Sequence, residues 1–140
     1  MRKKNEENIN ININNKNILI TALLIHAAKI DDNYTDVEKK IIKKALISLN
    51  AITSNEAEEL LKKAEKIEQE SNQIVAFTRE IKKNSMEYRL KIIEILWKIV
   101  YSDGASDNYE SNLIRRVCGL LYVSDKDSGI IKLKVKNLMK

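Results

Sequence analysis

The chain has 140 residues, of which 44% are hydrophobic and 32% are charged, so it is long enough for one soluble domain with a sizeable core. It has no proline, three glycines and one cysteine. This composition disfavours sheet-rich folds and excludes a disulfide framework or a multi-thiolate metal site. The net charge of +5 lies at the two ends, because residues 18–122 carry sixteen basic and sixteen acidic side chains. With an electrically balanced body, we expect no nucleic-acid partner.

The N-terminal stretch is polar and rich in asparagine. Its isoleucines alternate with asparagine as in a strand, but no partner strand follows, so we predict a disordered arm over residues 1–13. One domain then covers residues 14–140. The arm lacks the charged-then-apolar order of an export signal, and the most apolar stretch, Ile18 to Ile30, is shorter than the roughly 20 residues of a membrane-spanning helix. We therefore expect a cytoplasmic protein.

Apolar spacing predicts about seven helices, which we take in chain order. The first, from about Asn15 to Ile30, is apolar on nearly every side, which is typical of a central helix. The second runs from Asp36 to about Asn50. Its predicted apolar face repeats every four residues, with lysines opposite, and consists of Val37, Ile41, Ala45 and Leu49.

The third helix begins after Thr53 and Glu56, whose Thr-x-x-Glu spacing is that of a capping box. Ser71 is a suitable N-cap for a fourth helix. The remaining helices are an all-round apolar fifth (about Met86 to Tyr101), a sixth (Asn108 to about Tyr122) and a basic amphipathic seventh (about 125–139).

Two helix-loop-helix units recur at an offset of 72 residues, over about residues 18–50 and 90–122. Apolar positions of the first unit fall on apolar positions of the second, Asp31 falls on Asp103, and Glu38 falls on Glu110. The sequence therefore predicts an all-α fold: a compact bundle of about seven helices with an internal helix-loop-helix duplication. The third and fourth helices are expected as an insertion between the two units.

The glutamate of each repeated loop has a structural explanation. Thr35 with Glu38, and Asp107 with Glu110, have the spacing of an N-cap residue and its partner three positions later. Such pairs satisfy amide groups that the first helical turn leaves without a partner. We therefore interpret both glutamates mainly as caps.

The aspartates that open the loops are less simple. Asp31 and Asp103 lie where a helix ends, and there a negative charge opposes the helix dipole. Two interpretations stay open: hydrogen bonds to the amides of the turn, or a divalent cation of the Ca²⁺ or Mg²⁺ class, for which clustered carboxylates are suitable ligands. The predicted metal ligands are Asp31, Asp32, Asp36 and Glu38 in the first loop and Asp103, Asp107 and Glu110 in the second.

No other residues form a catalytic constellation in the sequence. His26 has no histidine or cysteine at a metal-binding spacing, so we predict a histidine at the core or its rim. Trp97 and Cys118 both fall in apolar helical stretches and are predicted to be core residues. We therefore expect a protein that is not an enzyme. The alternative is a metal-dependent hydrolase that uses the carboxylates of the second loop.

The repeated unit resembles the TerB family, which is named for tellurite resistance. In each unit a helix is followed by Asp-Gly or Asp-Asp, by a short polar turn, and by a Glu seven residues after the first Asp. The family pattern Ala-x-x-Asp-Gly-x-x-x-x-x-Glu corresponds to Ala28–Glu38 and Val100–Glu110. Asp32 replaces the glycine of the first loop, and Val100 replaces the alanine of the second. The resemblance covers about residues 18–122. The fold is also similar to the N-terminal domain of DjlA-type DnaJ co-chaperones, although no His-Pro-Asp motif follows here.

The resemblance implies a compact, noncatalytic TerB-like bundle linked to metal stress and to membrane-associated complexes, with acidic loops suspected of binding metal. We expect it to act through protein partners. Two basic surfaces are either solvated faces or docking sites for an acidic partner or lipid head groups. They are the lysine ladder of the second helix (Lys39, Lys40, Lys43 and Lys44, echoed by Arg115 and Arg116) and the C-terminal segment Lys132 to Lys140, which would contact a membrane surface.

Overall fold

The computed structural model describes residues 17–30, 34–70, 74–102 and 108–138, with side chains in the last range described from residue 112 onward. The predicted disordered arm over residues 1–13 lies outside these ranges. Across them the fold is all-α as predicted, with no strand. The helices are α1 (residues 17–28), α2 (Asp36–Asn50), α3 (Ser54–Glu70), α4 (Ile74–Lys82), α5 (Met86–Tyr101), α6 (Asn108–Leu121) and α7 (Asp125–Leu138).

Hydrogen-bonded caps begin two helices where the sequence predicts them. Thr35 and Glu38 form a capping box at the start of α2. Before α3, the Glu56 N–H donates to the Thr53 hydroxyl at 3.2 Å, and the Thr53 N–H donates to the Glu56 carboxylate at 3.1 Å. These contacts satisfy amides that the first turn leaves open. Ser71, the predicted cap of α4, lies outside the described residues.

The two helices that are apolar on all sides, α1 and α5, occupy the centre of the bundle. Leu23 and Leu24 of α1 and Ile92 and Ile93 of α5 have no exposed surface. α5 packs against α2, α4, α6 and α7, and Trp97, only 5% exposed, contributes to the same core as predicted. A helix without a polar face is stable in water when other helices surround it, which explains the arrangement.

Similar turns follow the second helix of each predicted repeat unit. α2 is followed by Ala51 and α6 by Tyr122, both with positive φ, 51° and 56° respectively. Two residues later a hydroxyl accepts a hydrogen bond from the next helix. The Glu56 N–H of α3 donates to Thr53 Oγ1, and the Asp127 N–H of α7 donates to Ser124 Oγ. α3 and α7 therefore begin after similar turns. The insertion of α3 and α4 between two repeat units stays a prediction.

The apolar face of α2 differs from the predicted one. Ile42 and Leu46 are fully buried, whereas Val37 is 55% exposed. The other three residues of the predicted face are half-buried and form what we call the α2 row: Ile41, Ala45 and Leu49. Because apolar residues occupy two adjacent stripes of this helix, the packing of neighbouring helices decides which stripe enters the core.

Candidate functional site

The acidic loops can be followed only in part. Five of the seven predicted metal ligands have side chains outside the described residues: Asp31, Asp32, Asp103, Asp107 and Glu110. The other two differ in environment, since Asp36 is exposed in the first turn of α2 and Glu38 is 2% exposed. Where side chains are described, no group of three or more His, Cys, Asp or Glu residues could hold a metal ion. The metal site in the loops therefore stays a prediction.

Glu38 is held by the cap of α2. The Thr35 N–H donates to Glu38 Oε1 at 2.8 Å, and the Thr35 hydroxyl lies 3.0 Å from the same oxygen. In return, the Glu38 N–H donates to Thr35 Oγ1 at 3.1 Å. The carboxylate also lies at the N-terminus of α2, where the helix dipole favours negative charge. The capping role predicted for Glu38 is present, and a cation at Oε1 would have to share that atom with these contacts.

Polar side chains inside the bundle join or stabilise helices. Glu68, 7% exposed, pairs with Lys29 Nζ at 3.2 Å and so links α3 to the end of α1. Trp97 Nε1 donates to Ser128 Oγ at 3.2 Å and links α5 to α7. The buried threonine hydroxyls donate to carbonyls of their own helices, Thr21 to Asn17 at 2.6 Å and Thr78 to Ile74 at 3.0 Å. The five buried polar residues, Thr21, Glu38, Glu68, Thr78 and Ser128, thus each have a hydrogen bond or an ion pair.

His26 and Cys118 occupy environments that do not favour reactivity. His26 is half-buried, and its pKa lies below 6.5 chiefly because burial disfavours the charged ring, with Glu68 opposing this effect and Lys29 reinforcing it. Cys118 is buried, and burial raises the pKa of its thiol. A protonated, buried thiol is a poor nucleophile. These positions agree with the predicted rim histidine and core cysteine.

An open groove with a volume of about 410 Å³ runs between α2 and α5. Its α2 wall consists of the α2 row with Lys44 and Ser48, and its α5 wall of Tyr88, Lys91, Glu94, Ile95 and Lys98. The lining residues span 41–49 on α2 and 88–98 on α5. At a rise of about 1.5 Å per residue, the groove is roughly 12–15 Å long, which corresponds to two to three turns of a helix.

The rim of the groove is positive. Glu94, its acidic lining residue, accepts a hydrogen bond from Lys134 at 2.8 Å and lies 3.7 Å from Lys98. The bond from Lys134 is the main cause that lowers the pKa of Glu94, so this carboxylate is ionised and its charge is balanced by the two lysines. Lys91 Nζ lies 3.9 Å from the carboxylate of Glu87, whose side chain is 83% exposed, so this is a weak surface ion pair. Lys44 has no ion pair within the described part of the chain, so Lys44 and Lys91 leave excess positive charge.

The structure divides the lysine ladder that the sequence presents on α2. Lys39 and Lys43 lie 3.9 Å and 3.1 Å from glutamates of α3, whereas Lys44 lines the groove. The α5 wall was missed by sequence analysis, which assigned that helix to the core. Its signal is nevertheless present, because Lys91 and Lys98 interrupt the apolar run at a spacing that places them on one side of the helix.

The outward face of α7 is apolar and basic. Val135 is fully buried, so the helix packs on the bundle as predicted. Ile130, Leu133 and Leu138 are 58%, 62% and 68% exposed, and exposed lysines lie among them. The predicted contact of this segment with a membrane surface is therefore compatible with its exposure and stays a prediction.

Comparison with known families identifies the framework that carries these surfaces. The sequence model described as tellurite resistance protein TerB matches residues 17–133, which include α1 to α6 and part of α7. The chain belongs to the TerB family. No curated protein and no solved structure matches the chain. The TerB match confirms the resemblance seen in the repeated acidic loops, and it includes both walls of the groove. None of the helices described for this TerB-family chain is long and apolar enough to cross a membrane.

Proposed function

We propose that this TerB-family chain is a noncatalytic component of a tellurite-resistance or metal-stress response and that it acts by binding other proteins. Membership of the family makes it a tellurite-resistance-associated module. The binding role is supported by the open groove between α2 and α5, which combines an apolar floor with a lysine rim. Such a surface suits a macromolecular partner, because an apolar centre with a charged border is the usual anatomy of a protein interface.

The noncatalytic role is supported by how the polar groups are used. Active sites bring perturbed titratable groups together in a concavity. In the described part of this bundle, the five buried polar residues form a helix cap, link two helices or bond a carbonyl of their own helix. The acid of the groove is balanced by Lys98 and Lys134. The arrangement therefore serves stability and binding better than proton transfer.

The test combines physical capture with a phenotype. The tagged chain, cross-linked in its native host with and without tellurite, should enrich specific proteins over a tag-only control. Deletion of the gene should lower growth on tellurite, and the wild-type chain should restore it. Recovery of no protein above the control would contradict the binding role, and unchanged tellurite tolerance would contradict the resistance role.

A divalent cation at the duplicated acidic loops is the second candidate, favoured by the repetition of Asp31 at Asp103. Calorimetric titration with Ca²⁺ and Mg²⁺ should give heat for the wild type and less heat for Asp31→Asn and Asp103→Asn. No heat in the wild type, with both variants merely less stable, would leave the capping interpretation alone. If the metal-dependent hydrolase alternative applies, metal binding must also be accompanied by hydrolytic turnover.

A further inference from the structure

The internal duplication shows that the α2 row is core-like in its chemistry. At the offset of 72 residues, its three members correspond to Leu113, Val117 and Leu121 of α6. These α6 residues are 6%, 0% and 0% exposed. Their counterparts on α2 are half-buried and line the groove. The same three positions are therefore enclosed in the second unit and open in the first.

Helix α4 shows the size of helix that packs against the counterpart of α2. In the second unit, α6 packs against α4, α5 and α7. α4 has nine residues, so it is about 13 Å long at 1.5 Å per residue. The groove beside α2 has the length of one such helix.

The charge of the rim selects the kind of helix that fits. Lys44 and Lys91 stand on opposite walls, and neither is balanced by a close, buried carboxylate. A basic helix would meet like charge on both sides, whereas an acidic helix would be attracted on both sides. Ala45, the smallest residue of the α2 row, lies at the middle of the α2 wall of the groove.

We propose, on the basis of the protein-binding role above, that the groove receives an acidic amphipathic helix of about nine residues from a partner protein. Apolar side chains of that helix, spaced at three, four and seven residues, pack on the α2 row and Ile95. Its carboxylates face Lys44 and Lys91. The partner helix thus covers the α2 row.

The experiment selects peptides without assuming their sequence. A displayed library of single-helix peptides with randomised surface positions is selected on the full chain, and the tightest peptide is then used as the probe. We expect an excess of Asp and Glu around apolar positions spaced as in a helix face. Amide shift changes in the labelled protein should concentrate at residues 41–49 and 88–98.

Two matched pairs of variants test the groove itself. Ala45→Glu should weaken probe binding by about tenfold or more, since it places a charge at the apolar centre. Ala76→Glu, at a half-buried alanine of α4 outside the groove, should change binding less than about twofold. Thermal unfolding of both variants shows that each is folded at the temperature of the binding assay.

The charge argument is tested by reversal. Lys44→Glu with Lys91→Glu should lower affinity by about tenfold and reduce its dependence on salt. Lys63→Glu with Lys126→Glu, which makes the same change in net charge on exposed positions elsewhere, should leave most of the affinity. Equal losses in the two double variants would overturn the charge argument.

Other outcomes would overturn the assignment of the occupant. They are selected peptides without an acidic excess, shift changes outside the groove, and a dimer in light scattering whose interface is the groove. If wild type and Ala45→Glu capture the same partners equally, the groove is not the binding site, although the protein-binding role stands. Capture of no partner, together with groove-specific binding of the probe, would contradict that role and leave the groove as a helix site.

Discussion

Replacing Glu38 with alanine removes the carboxylate oxygen that receives the Thr35 N–H and hydroxyl at 2.8 and 3.0 Å. Loss of a helix cap costs about 0.5–2 kcal/mol, and a hydrogen bond to a charged group contributes about 1.5–3 kcal/mol. Thr35 is half-buried, so water replaces part of what is lost. We therefore expect Glu38→Ala to lower the free energy of unfolding by about 2 kcal/mol. Glu38→Gln should cost less than half as much, because its amide oxygen still accepts from the Thr35 N–H.

The assay is urea unfolding followed by circular dichroism, supported by thermal unfolding. An unfolding entropy of about 2 cal/mol/K per residue gives about 0.3 kcal/mol/K for this chain, so 2 kcal/mol corresponds to a fall in Tm of about 7 °C. Thr35→Ala and the double variant complete a cycle, in which we expect a coupling of about 1 kcal/mol. Glu56→Ala is the matched control, because its capping box is exposed and should contribute less.

Two results would refute this reasoning. If the effects of Thr35→Ala and Glu38→Ala add within about 0.3 kcal/mol, the two side chains are not coupled and the cap is not the source of stability. If Glu38→Ala destabilises the protein only when Ca²⁺ or Mg²⁺ is present and not in chelator, the carboxylate acts on a cation. Equal losses with and without the cation would support the cap.

Three further predictions concern the interior and α7. Trp97→Phe removes the hydrogen bond to Ser128 and should cost about 1–2 kcal/mol in urea unfolding; an unchanged midpoint would show that the bond contributes nothing. Because burial lowers the pKa of His26 below 6.5, the unfolded chain binds more protons than the folded one, so stability should fall as pH drops from above 6.5 towards the folded pKa. His26→Gln should flatten this fall, and an unaltered slope would contradict the assignment. The exposed face of α7 should sediment with anionic vesicles in a salt-sensitive way and lose this binding when Ile130 and Leu133 are changed to serine; binding that is absent or insensitive to salt would exclude the contact.

The acidic loops illustrate how far the candidate site could be predicted. The repeat placed Asp31 beside Asp103 in the alignment, and the spacing of Thr35 and Glu38 predicted the cap that the structure contains. These are local patterns, set by residues within a few positions of each other. The groove could not be predicted in this way, because its walls are α2 and α5, which are separated by two helices in the chain.

The sequence by itself determined the helices, their caps and the all-α class, because hydrogen bonds within a turn and apolar periodicity are properties of neighbouring residues. Only the tertiary structure decided which stripe of α2 is buried. Ile41 and Ile42 are equally apolar, yet Ile42 has no exposed surface and Ile41 lines a groove. It also decided that α4 packs against α6. Burial depends on which distant segments pack against a face, and the pattern of that face does not specify them.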